Sequence, residues 1–439
     1  MPTRTIEIFV TNHHAGTLTA EPIPGSNREH LEFTYTPEWI ASGYPISPEL
    51  PLNRNRHRPT LGRTQFGAFQ DAGPDRWGTR LIIERARRAG RPPHTLTDTD
   101  LLLMVPDETR QGALRFHTNG QFQDTSTGAA NLIDLRDLAQ IAQQLETGAG
   151  LDTATMLFLQ TGTSPGGAQP KSVVRDTHGN LWLAKYPNAT APLDQGRWEH
   201  ATATCATDAG ITVAPNNIVP VDDYSAIFMT QRFDRTQNGE RLPYLSFRSI
   251  LQHTDNSRAT PAYTDLAAAI RRWSSHPTAD LHEWFRRAIF NAAVHNIDDH
   301  LRNFGMLRHK DGWRLAPAFD VNPLPGVIAT TPLTPDGDLH FRDPAQLIPH
   351  AHEFALTEPE AQTIAREILS IARELPTYGR KAGVVADALT SPRWVKYREH
   401  ADRLQAALPT PKTHQGGKVW VPPHLRNGEP VAGYWRRRS

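Results

Sequence analysis

The sequence predicts an α+β fold with three successive parts, and the evidence is the change in local pattern along its 439 residues. Short β-prone segments dominate residues 1–120, strand and helix patterns mix over residues 121–235, and helix patterns dominate residues 236–408. Residues 409–439 form a tail rich in Gly, Pro and Arg. A chain of this length can bury a sizeable core, so we expect a globular protein of two or three domains.

The composition excludes several classes of protein. Forty-seven basic residues nearly balance 46 acidic ones, and the net charge of +1 gives no general attraction to nucleic acid or to a membrane. Cys205 is the only cysteine, which excludes an internal disulfide framework and a cysteine-rich zinc site and fits a reducing cytoplasm. The sequence shows no charged leader before an apolar core, and no apolar run approaches about 18 residues. We therefore expect a cytoplasmic protein without a membrane partner.

The first part of the chain is predicted to be a small β-rich domain. Ile6, Ile8 and Val10 alternate with polar residues, and a second β-prone run covers residues 33–39. An amphipathic pattern over residues 75–88 then predicts a helix.

The second part is predicted to be a small mixed lobe and the third a mainly helical lobe. Leucine and isoleucine at helical spacing predict a connecting helix over residues 131–147. Between residues 181 and 235, short β-type runs flank a helical segment that begins near Trp198. After about residue 262 the apolar residues recur at intervals of three and four, which is typical of amphipathic helices.

A polar cluster, HNIDDHLRN at residues 295–303, follows one of these apolar helical runs. Asp298 and Asn303 lie five positions apart at the end of the helix, and Asp320 follows a hairpin pattern with its turn at residues 310–312. Phosphoryl transfer needs a carboxylate that accepts the proton of the attacking hydroxyl, and oxygen ligands for Mg²⁺. Protein kinases supply these groups as Asp-x-x-x-x-Asn followed by a second Asp after a short hairpin, which is the order found here.

Each of these residues also has a structural interpretation. Asp and Asn are common at helix ends because their side chains satisfy local backbone groups. His295 and His300 could form part of a metal site, although the sequence offers no evident third ligand. The order of the three kinase-type residues, rather than any one of them, favours phosphoryl-transfer chemistry.

The mixed lobe contains the other groups that a nucleotide site requires. The segment TGTSPGGAQPK at residues 161–171 includes Gly166 and Gly167, which allow backbone N–H groups to approach phosphate oxygens. Lys185 lies in a predicted strand, and Glu199 near the start of the following helix is a suitable ion-pair partner. Singly these are better explained as an ordinary loop and two surface charges, whereas their order favours a nucleotide-binding lobe.

Motifs spread over residues 5–405 resemble those of the HipA family of serine/threonine kinases, the toxin components of bacterial toxin/antitoxin pairs. The front of the chain carries FTYTPEWIASGYPISPELPL, FQDAGPDRWG and QGALRF, and the rest carries GGAQPKS, MTQRFDR, LSFRSIL, HNIDDHLRNF and LAPAFDVNP. The resemblance implies a bilobal protein-kinase-like domain preceded by a β-rich N-terminal domain.

The resemblance also implies roles for individual residues. Asp298 would be the catalytic base, Asn303 and Asp320 would hold Mg²⁺, and Lys185 would contact the phosphates of ATP. Glu199 would be the ion-pair partner of that lysine.

Two further positions acquire roles by the same resemblance. The segment at residues 229–235 lies where the family joins its two lobes, so Gln231 and Phe233 are candidates for contacting adenine, although Phe233 fits a core position equally well. Ser164 falls where the family carries an autophosphorylated serine, whose modification is linked to expulsion of the phosphate loop and loss of ATP binding. Thr163 is the alternative acceptor.

The sequence departs from the family pattern in places. Pro170 stiffens the approach to the lysine that ends the phosphate loop. Asp299 follows the expected base, and this second carboxylate either raises a pKa by repulsion or binds a neighbouring basic group. The C-terminal WRRR could touch phosphate backbones, or could simply be a solvated basic end.

The resemblance implies an ATP- and Mg²⁺-dependent serine/threonine protein kinase. Its target would be a translation component such as an aminoacyl-tRNA synthetase, with growth arrest and persistence as consequences. A small helix-turn-helix antitoxin would be its partner and would bring it to operator DNA indirectly. The alternatives are a phosphotransferase for a small molecule and a catalytically silent, DNA-bound co-repressor.

Overall fold

The computed structural model covers the chain in segments. The described residues are 2–124, 129–131, 135–147, 169–188, 194–254, 257, 259–323, 328–389, 392–408, 418–421, 424–426, 429–431 and 434–437. Within these residues, no helix combines the length and the apolar character needed to span a bilayer.

The N-terminal domain is built on a five-stranded antiparallel sheet. Its strands are β1 (Arg4–Val10), β2 (His13–Pro22), β3 (Glu29–Tyr35), β4 (Leu114–Thr118) and β5 (Gln121–Phe122). Their order in the sheet is β3-β2-β1-β4-β5. The alternating Ile6, Ile8 and Val10 are all buried, because alternate side chains of a strand face the same side of the sheet. The predicted first strand is therefore confirmed.

Four helices accompany this sheet in the described part of the chain, and side-chain caps fix the starts of three of them. They are α1 (Pro37–Ser42), α2 (Gly67–Asp71), α3 (Arg76–Arg88) and α4 (Asp98–Leu103), with a 3₁₀ turn at Pro93–Thr95. The carboxylate of Asp75 accepts a hydrogen bond from the backbone N–H of Gly78 and so begins α3. The helix predicted over residues 75–88 is confirmed, with Asp75 as its cap.

The small lobe is a second five-stranded sheet with two helices. It comprises β6 (Ala130–Asn131), α5 (Leu135–Thr147), β7 (Lys171–Arg175), β8 (Leu181–Lys185), α6 (Gln195–Asp208), β9 (Asn216–Pro220) and β10 (Ala226–Gln231). The strand order is β6-β7-β8-β10-β9, and the pair β6 and β7 is parallel. This mixed lobe carries β8 at its centre, beside the helix α6.

The large lobe is mainly helical and contains one three-stranded sheet. Its elements are β11 (Tyr244–Ser246), α7 (Phe247–Ile250), α8 (Tyr263–Trp273), α9 (Pro277–Ala293), β12 (Gly305–His309), β13 (Gly312–Leu315), α10 (Glu358–Ala372), α11 (Leu375–Lys381), α12 (Ala386–Leu389) and α13 (Pro392–Ala407), with 3₁₀ turns at Pro344–Leu347 and Ala351–Phe354. The predicted hairpin is confirmed, since His309 pairs with Gly312 across its turn. Trp284 and Phe285 of α9 are fully buried and place this helix in the middle of the lobe.

The apolar core links the N-terminal domain to both lobes. The buried side chains of the first sheet and those of the helical lobe form one continuous cluster. Trp77 and Leu81 of α3 instead pack with the small lobe, against residues of α5 and of the second sheet. The α+β class and the bilobal arrangement are confirmed, and the N-terminal domain contacts both lobes.

The C-terminal tail contains regular structure that its composition did not predict. The strands β14 (Lys418–Val421) and β17 (Tyr434–Arg437) pair with each other, as do β15 (His424–Arg426) and β16 (Glu429–Val431). The tail is therefore not irregular throughout.

Candidate active site

A large cleft lies where the small lobe, the large lobe and the N-terminal domain meet. Its volume is about 920 Å³. Small-molecule sites commonly occupy about 300–1,000 Å³, so the cleft is large enough for a ligand of nucleotide size. Its walls include Lys185 and Glu199 of the small lobe and Asp298 and Asp320 of the large lobe. The cleft therefore gathers charged groups that the sequence analysis assigned to one site.

Lys185 connects the two lobes through its ammonium group. Its Nζ donates to Oε1 of Glu199 at 2.5 Å and to Oδ1 of Asp320 at 2.7 Å. The side chain is only 6% exposed. Burial alone would lower the pKa of Lys185, but the carboxylates of Asp320 and Glu199 hold it above its usual range. Lys185 is therefore a fixed cation at the boundary between the lobes.

Glu199 occupies the first turns of α6 and is 3% exposed. Burial raises the pKa of Glu199, while the ammonium of Lys185 acts in the opposite direction. A buried charge is tolerated when it is paired and hydrogen-bonded, and this pair meets that condition. The arrangement fixes the direction of the lysine side chain.

Asp320 adopts a backbone conformation that is uncommon for its residue type. Its φ is +57°, in the left-handed region that Asp tolerates better than most residues and that is enriched at functional sites. The backbone N–H of Ala318 donates to Thr212 at 2.8 Å, which anchors the segment just before it. Burial opposes ionisation of Asp320, but Lys185 and then Lys171 keep its pKa below the usual range. Asp320 is therefore held as a carboxylate.

Asp298 and Asn303 lie in a loop, not at the end of a helix as the sequence analysis placed them. The helix α9 ends at Ala293 because His295 adopts a left-handed φ of +57°. Nδ2 of Asn303 donates to the backbone carbonyl of Asp298 at 2.8 Å. This bond holds the loop in shape and leaves the amide oxygen of Asn303 as the group that could bind a cation.

The carboxyl group of Asp298 faces the cleft and is exposed there. Partial desolvation by the cleft walls raises its pKa, and the charges of Asp320 and Asp299 act in the same direction. His300 and Arg76 oppose this increase. A carboxylate with a raised pKa accepts a proton more readily, which suits a general base.

Asp299 has a different environment from its neighbour. It is fully buried and forms an ion pair with Arg342. The hydroxyl of Tyr263 donates to it at 2.6 Å, and the backbone N–H of Thr331 donates at 3.2 Å. The sequence analysis left two interpretations of Asp299 open, namely repulsion that raises a pKa and binding to a neighbouring basic group. The ion pair with Arg342 corresponds to the second interpretation.

Gln231 and Phe233 line the cleft at the junction of the lobes. The backbone N–H of Gln231 donates to Pro215 at 2.8 Å. The ring of Phe233 lies 5.3 Å from that of Phe319 and 6.2 Å from that of Tyr244, between ring centroids. Phe233 therefore belongs to a small apolar cluster and also lines the cleft, and its contact with adenine stays a prediction.

Residues 161–168 of the predicted phosphate loop lie outside the described residues. This applies to Thr163, Ser164, Gly166 and Gly167. The described chain resumes at Gln169, whose side chain donates to the carbonyl of Tyr186 at 3.0 Å. The far end of the loop is thus attached to the segment that follows β8.

The N-terminal domain supplies a wall of the cleft that the sequence analysis did not assign. Asp71, Asp75 and Arg76 of this domain line it. Asp71 accepts hydrogen bonds from the backbone N–H and the hydroxyl of Ser246, each at 2.7 Å, and so ties the domain to the large lobe. The signal for these residues was present in the motif FQDAGPDRWG, where two acidic residues and an arginine stand around a helix start.

A buried ionic network joins the N-terminal domain to the segment between the lobes. Asp234 is 1% exposed and accepts hydrogen bonds from Arg232, Arg235 and the backbone N–H of Gly112. Arg232 and Arg235 also donate to backbone carbonyls within residues 108–110. Nothing local in the sequence indicated this connection.

The site offers oxygen ligands for a hard cation but no complete protein-only metal site. Within the part of the chain that the structure describes, no group of three or more His, Cys, Asp and Glu side chains is arranged to hold a metal ion. His300 lines the cleft, whereas the ring of His295 packs 5.6 Å from that of His400. Mg²⁺ at phosphate sites takes one or two protein oxygens together with phosphates and waters, and the carboxylate of Asp320 and the amide oxygen of Asn303 are donors of the required type.

Two protein-family models match the chain. The model of the HipA N-terminal domain matches residues 6–117, and the model of the HipA-like C-terminal domain matches residues 163–375. Together the two models cover the N-terminal domain, most of the small lobe and a large part of the helical lobe.

Curated relatives and a solved structure are also similar to the chain. A "Putative kinase" of Haemophilus influenzae is 27% identical over 196 residues, or 39% of this chain and 57% of that protein. "Putative kinase Y4mE" of Sinorhizobium fredii is 28% identical over 117 residues, or 24% of this chain and 28% of that protein. The chain thus aligns with less than two thirds of each relative. The HipA chain in the Shewanella oneidensis MR-1 complex of HipA, HipB and operator DNA has a similar fold, with a TM-score of 0.64, 17% identity and coverage of 91% of this chain and 96% of that one.

Proposed function

The chain belongs to the HipA family, and from this premise we propose that it is an ATP- and Mg²⁺-dependent serine/threonine protein kinase that acts as the toxin of a toxin/antitoxin pair. One observation carries the proposal. Lys185, Glu199, Asp298 and Asp320 come from two lobes and line one cleft. Phosphoryl transfer depends on positioning and on neutralising charge, and this set of groups supplies both.

Each of these side chains has a role that its environment supports. Asp298 accepts the proton of the attacking hydroxyl, because its carboxyl is exposed in the cleft and its pKa is raised by desolvation. Lys185 binds the phosphates, and Glu199 keeps its ammonium in place. Asp320 and Asn303 supply oxygen ligands for Mg²⁺. When bound, the metal ion neutralises charge on the transferred phosphoryl group.

The adenine end of the nucleotide is proposed to lie against the junction between the lobes. Gln231 and Phe233 line this part of the cleft, and Phe233 offers an aromatic face beside Phe319. Gly166 and Gly167 are proposed to place backbone N–H groups around the phosphates.

Autophosphorylation of Ser164 is proposed as a self-inactivating step. A phosphoserine adds nearly two negative charges to a loop that must approach a triphosphate, so repulsion favours a rearranged loop. Thr163 is the alternative acceptor. Mass spectrometry of the purified protein, with and without prior incubation with ATP, identifies the modified residue.

The proposed partner is a small helix-turn-helix antitoxin of the HipB type. The support is the similarity in fold to a HipA chain that is in complex with HipB and operator DNA. Through such a partner this chain would reach operator DNA indirectly. A translation component such as an aminoacyl-tRNA synthetase is the proposed protein substrate, in the cytoplasm, with growth arrest and persistence as the outcome.

Phosphoproteomics after brief expression tests the proposal. The wild type is compared with Asp298→Asn, and the proposal expects phosphosites on a cellular protein and on Ser164 with the wild type only. Transfer of radiolabel to small molecules but not to protein would favour a small-molecule phosphotransferase. Equal growth inhibition and equal ATP turnover by both forms would favour a catalytically silent co-repressor.

A further inference from the structure

The segment of residues 71–77 in the N-terminal domain runs along the cleft from the large lobe to the small lobe. At its start, Asp71 accepts the two hydrogen bonds from Ser246 of the large lobe. At its end, Nε1 of Trp77 donates to the carbonyl of Lys171 at 3.1 Å, and the ring of Trp77 packs in the apolar core of the small lobe. The segment is therefore attached to both lobes.

Two further contacts fix positions inside this segment. The carbonyl of Ala72 accepts a hydrogen bond at 2.9 Å from Nη1 of Arg110, whose side chain is fully buried. The carboxylate of Asp75 accepts one at 2.9 Å from Nζ of Lys171, in addition to the one that caps α3. Because Lys171 contacts the residues on both sides of Arg76, the backbone of Arg76 is held in place.

Arg76 differs from the rest of this segment because it is exposed and lines the cleft. Among the described residues of the N-terminal domain that line the cleft, it is the only basic one. Within the part of the chain that the structure describes, its guanidinium forms no ion pair with a carboxylate, whereas Lys185 already has two carboxylate partners. An arginine is always charged, so the domain presents to the cleft a cation that can bind an anionic ligand.

The stability of α3 does not account for an arginine at this position. Arg76 is the first residue of the helix, where the helix dipole opposes a positive charge. The last turn carries Arg85, Arg87 and Arg88, where the dipole favours positive charge. The contacts of the cleft, rather than those of the helix, are therefore the place to look for the role of Arg76.

The guanidinium of Arg76 lies near enough to Asp298 for the two charges to interact. Desolvation raises the pKa of Asp298, and Arg76 is among the groups that oppose this increase. A general base lies within hydrogen-bond reach of the attacking hydroxyl, whose oxygen approaches the phosphorus to about 3–3.5 Å. A cation on the side of the cleft that holds the base is therefore also close to the phosphoryl group that is transferred.

We propose that Arg76 is a catalytic residue, supplied by the N-terminal domain, that donates hydrogen bonds to the transferred phosphoryl group in the transition state. The inference rests on the proposed kinase function. In this step the hydroxyl oxygen forms a bond to the γ-phosphorus and its proton passes to Asp298. The bond from that phosphorus to the bridging oxygen breaks, and its electron pair leaves with ADP. Arg76 transfers no atom, because its planar set of N–H donors serves only to match the phosphoryl oxygens and to balance their charge.

Calorimetric titration of the full-length protein with ADP and Mg²⁺, with and without aluminium fluoride, tests this role. Aluminium fluoride beside ADP imitates the transferred group, so the wild type should bind ADP more tightly in its presence. Loss of charged hydrogen bonds predicts that Arg76→Gln reduces this gain in affinity about 10- to 100-fold. Binding of ADP alone should stay at the wild-type level, and the imido analogue of ATP should lose less affinity than the aluminium fluoride complex. Arg76→Lys should keep part of the gain, because it retains the charge.

The rate of radiolabel transfer from ATP to protein gives a second measurement. Removal of one donor to the transition state typically lowers kcat about 10²- to 10³-fold. Arg76→Gln should therefore lower kcat by about this factor and leave KM for ATP unchanged, which is the pattern of an interaction made only in the transition state.

Arg80→Gln is the matched control on the same helix. The guanidinium of Arg80 lies 5.5 Å from the ring centroid of Trp77, and Arg80 is not among the residues that line the cleft. This variant should keep both the gain in affinity and the wild-type kcat. Unfolding in urea checks the fold of Arg76→Gln, which should be no less stable than the wild type because it removes an exposed cation that the helix dipole disfavours.

The inference is overturned if Arg76→Gln keeps the wild-type gain from aluminium fluoride, or if the wild type shows no gain. An equal loss of affinity for ADP alone, or an equal loss in Arg80→Gln, also overturns it, because either result indicates a general effect of charge. If Lys185→Met loses affinity for the imido analogue while Arg76→Gln keeps the gain, the kinase proposal stands and the role of Arg76 is rejected. If the wild type binds neither ADP nor the imido analogue, the proposed function fails and the inference is rejected with it.

Discussion

Asp298 and Asp299 are adjacent in the chain, but their carboxylates face different surroundings. Asp298 is exposed in the cleft, whereas Asp299 is fully buried against Arg342. Successive residues of an extended loop can point in opposite directions, and here one carboxylate is directed to solvent and the other into the core. Substitution of the two residues should therefore affect different properties of the protein.

Replacing Asp298 by Asn is expected to stop chemistry without loss of the fold. Removal of a general base typically lowers the rate about 10²- to 10⁴-fold, and the amide keeps the size of the side chain. Radiolabel transfer from ATP to protein measures the rate, and calorimetry with the imido analogue measures nucleotide affinity, which should persist. Transfer at the wild-type rate would remove Asp298 from the proposed mechanism.

Replacing Asp299 by Asn is expected to destabilise the protein by about 3–5 kcal/mol, because it leaves the buried guanidinium of Arg342 without its counter-charge. The free energy of unfolding in urea measures this effect. Asp298→Asn is the matched control, since its exposed side chain has no buried ion pair to lose. Equal unfolding free energies for the Asp299 variant and the wild type would contradict a structural role for this residue.

Replacing Glu199 by Gln is expected to lower kcat/KM for ATP about 10- to 100-fold, because Lys185 loses one of its two charged partners while the shape is kept. Lys185 would then be drawn to Asp320, which the proposed mechanism reserves for Mg²⁺. Steady-state kinetics at several Mg²⁺ concentrations measure the effect. Glu367→Gln is the control, because its pair with Arg286 is a surface ion pair of little energetic value. A loss of the same size in both variants would contradict a specific role for Glu199.

Local patterns predicted part of this site, and long-range contacts account for the rest. Asp298 and Asn303 were identified because both lie in one short motif, and Lys185 because it lies in a short apolar strand that follows the glycine-rich segment. The prediction that Asp298 and Asn303 lie at the end of a helix was wrong, because no pattern of side chains indicates that His295 adopts a left-handed conformation. The pair of Asp75 with Lys171 spans 96 residues, and no periodicity connects the two positions.

The Asp234 network shows that local sequence patterns also fail to predict how the domains are arranged. The hydrogen bond from Gly112 to Asp234 spans 122 residues and was not predicted. Alternation and helical spacing report which face of an element is buried, but they do not report which element lies against it. The wall that the N-terminal domain supplies to the cleft could for that reason be recognised only in three dimensions.

Replacing Asp234 by Asn is expected to destabilise the protein by about 3–5 kcal/mol, since Arg232 and Arg235 then lose a shared buried counter-charge. The surrounding arginines lower the pKa of Asp234, although burial acts against them. Its stabilising effect is therefore complete above the pKa of an unfolded Asp, about 3.9, and is lost as the pH falls below that value. Unfolding free energies of wild type and variant at pH 7 and pH 3.5 measure both effects. A constant difference between the two proteins at both pH values would contradict this linkage.

His400 of α13 predicts a second dependence of stability on pH, at milder acidity. Burial lowers its pKa to about 4, and the neighbouring His295, Arg403 and Arg342 act in the same direction, while the carbonyl of Ala292 opposes them. Because an unfolded His has a pKa of about 6.5, the unfolded chain takes up a proton between pH 6.5 and pH 4 that the folded protein does not. Stability should decrease across that interval, by at most about 3 kcal/mol from this residue, and should show no further loss from it at lower pH.

Guanidinium unfolding of the wild type and of His400→Gln at pH 7.5 and pH 5 measures the contribution of His400. The variant keeps a donor for Ala292 but has no titrating group, so it should lose less stability between the two pH values. An equal loss in both proteins would assign the acid sensitivity to other groups.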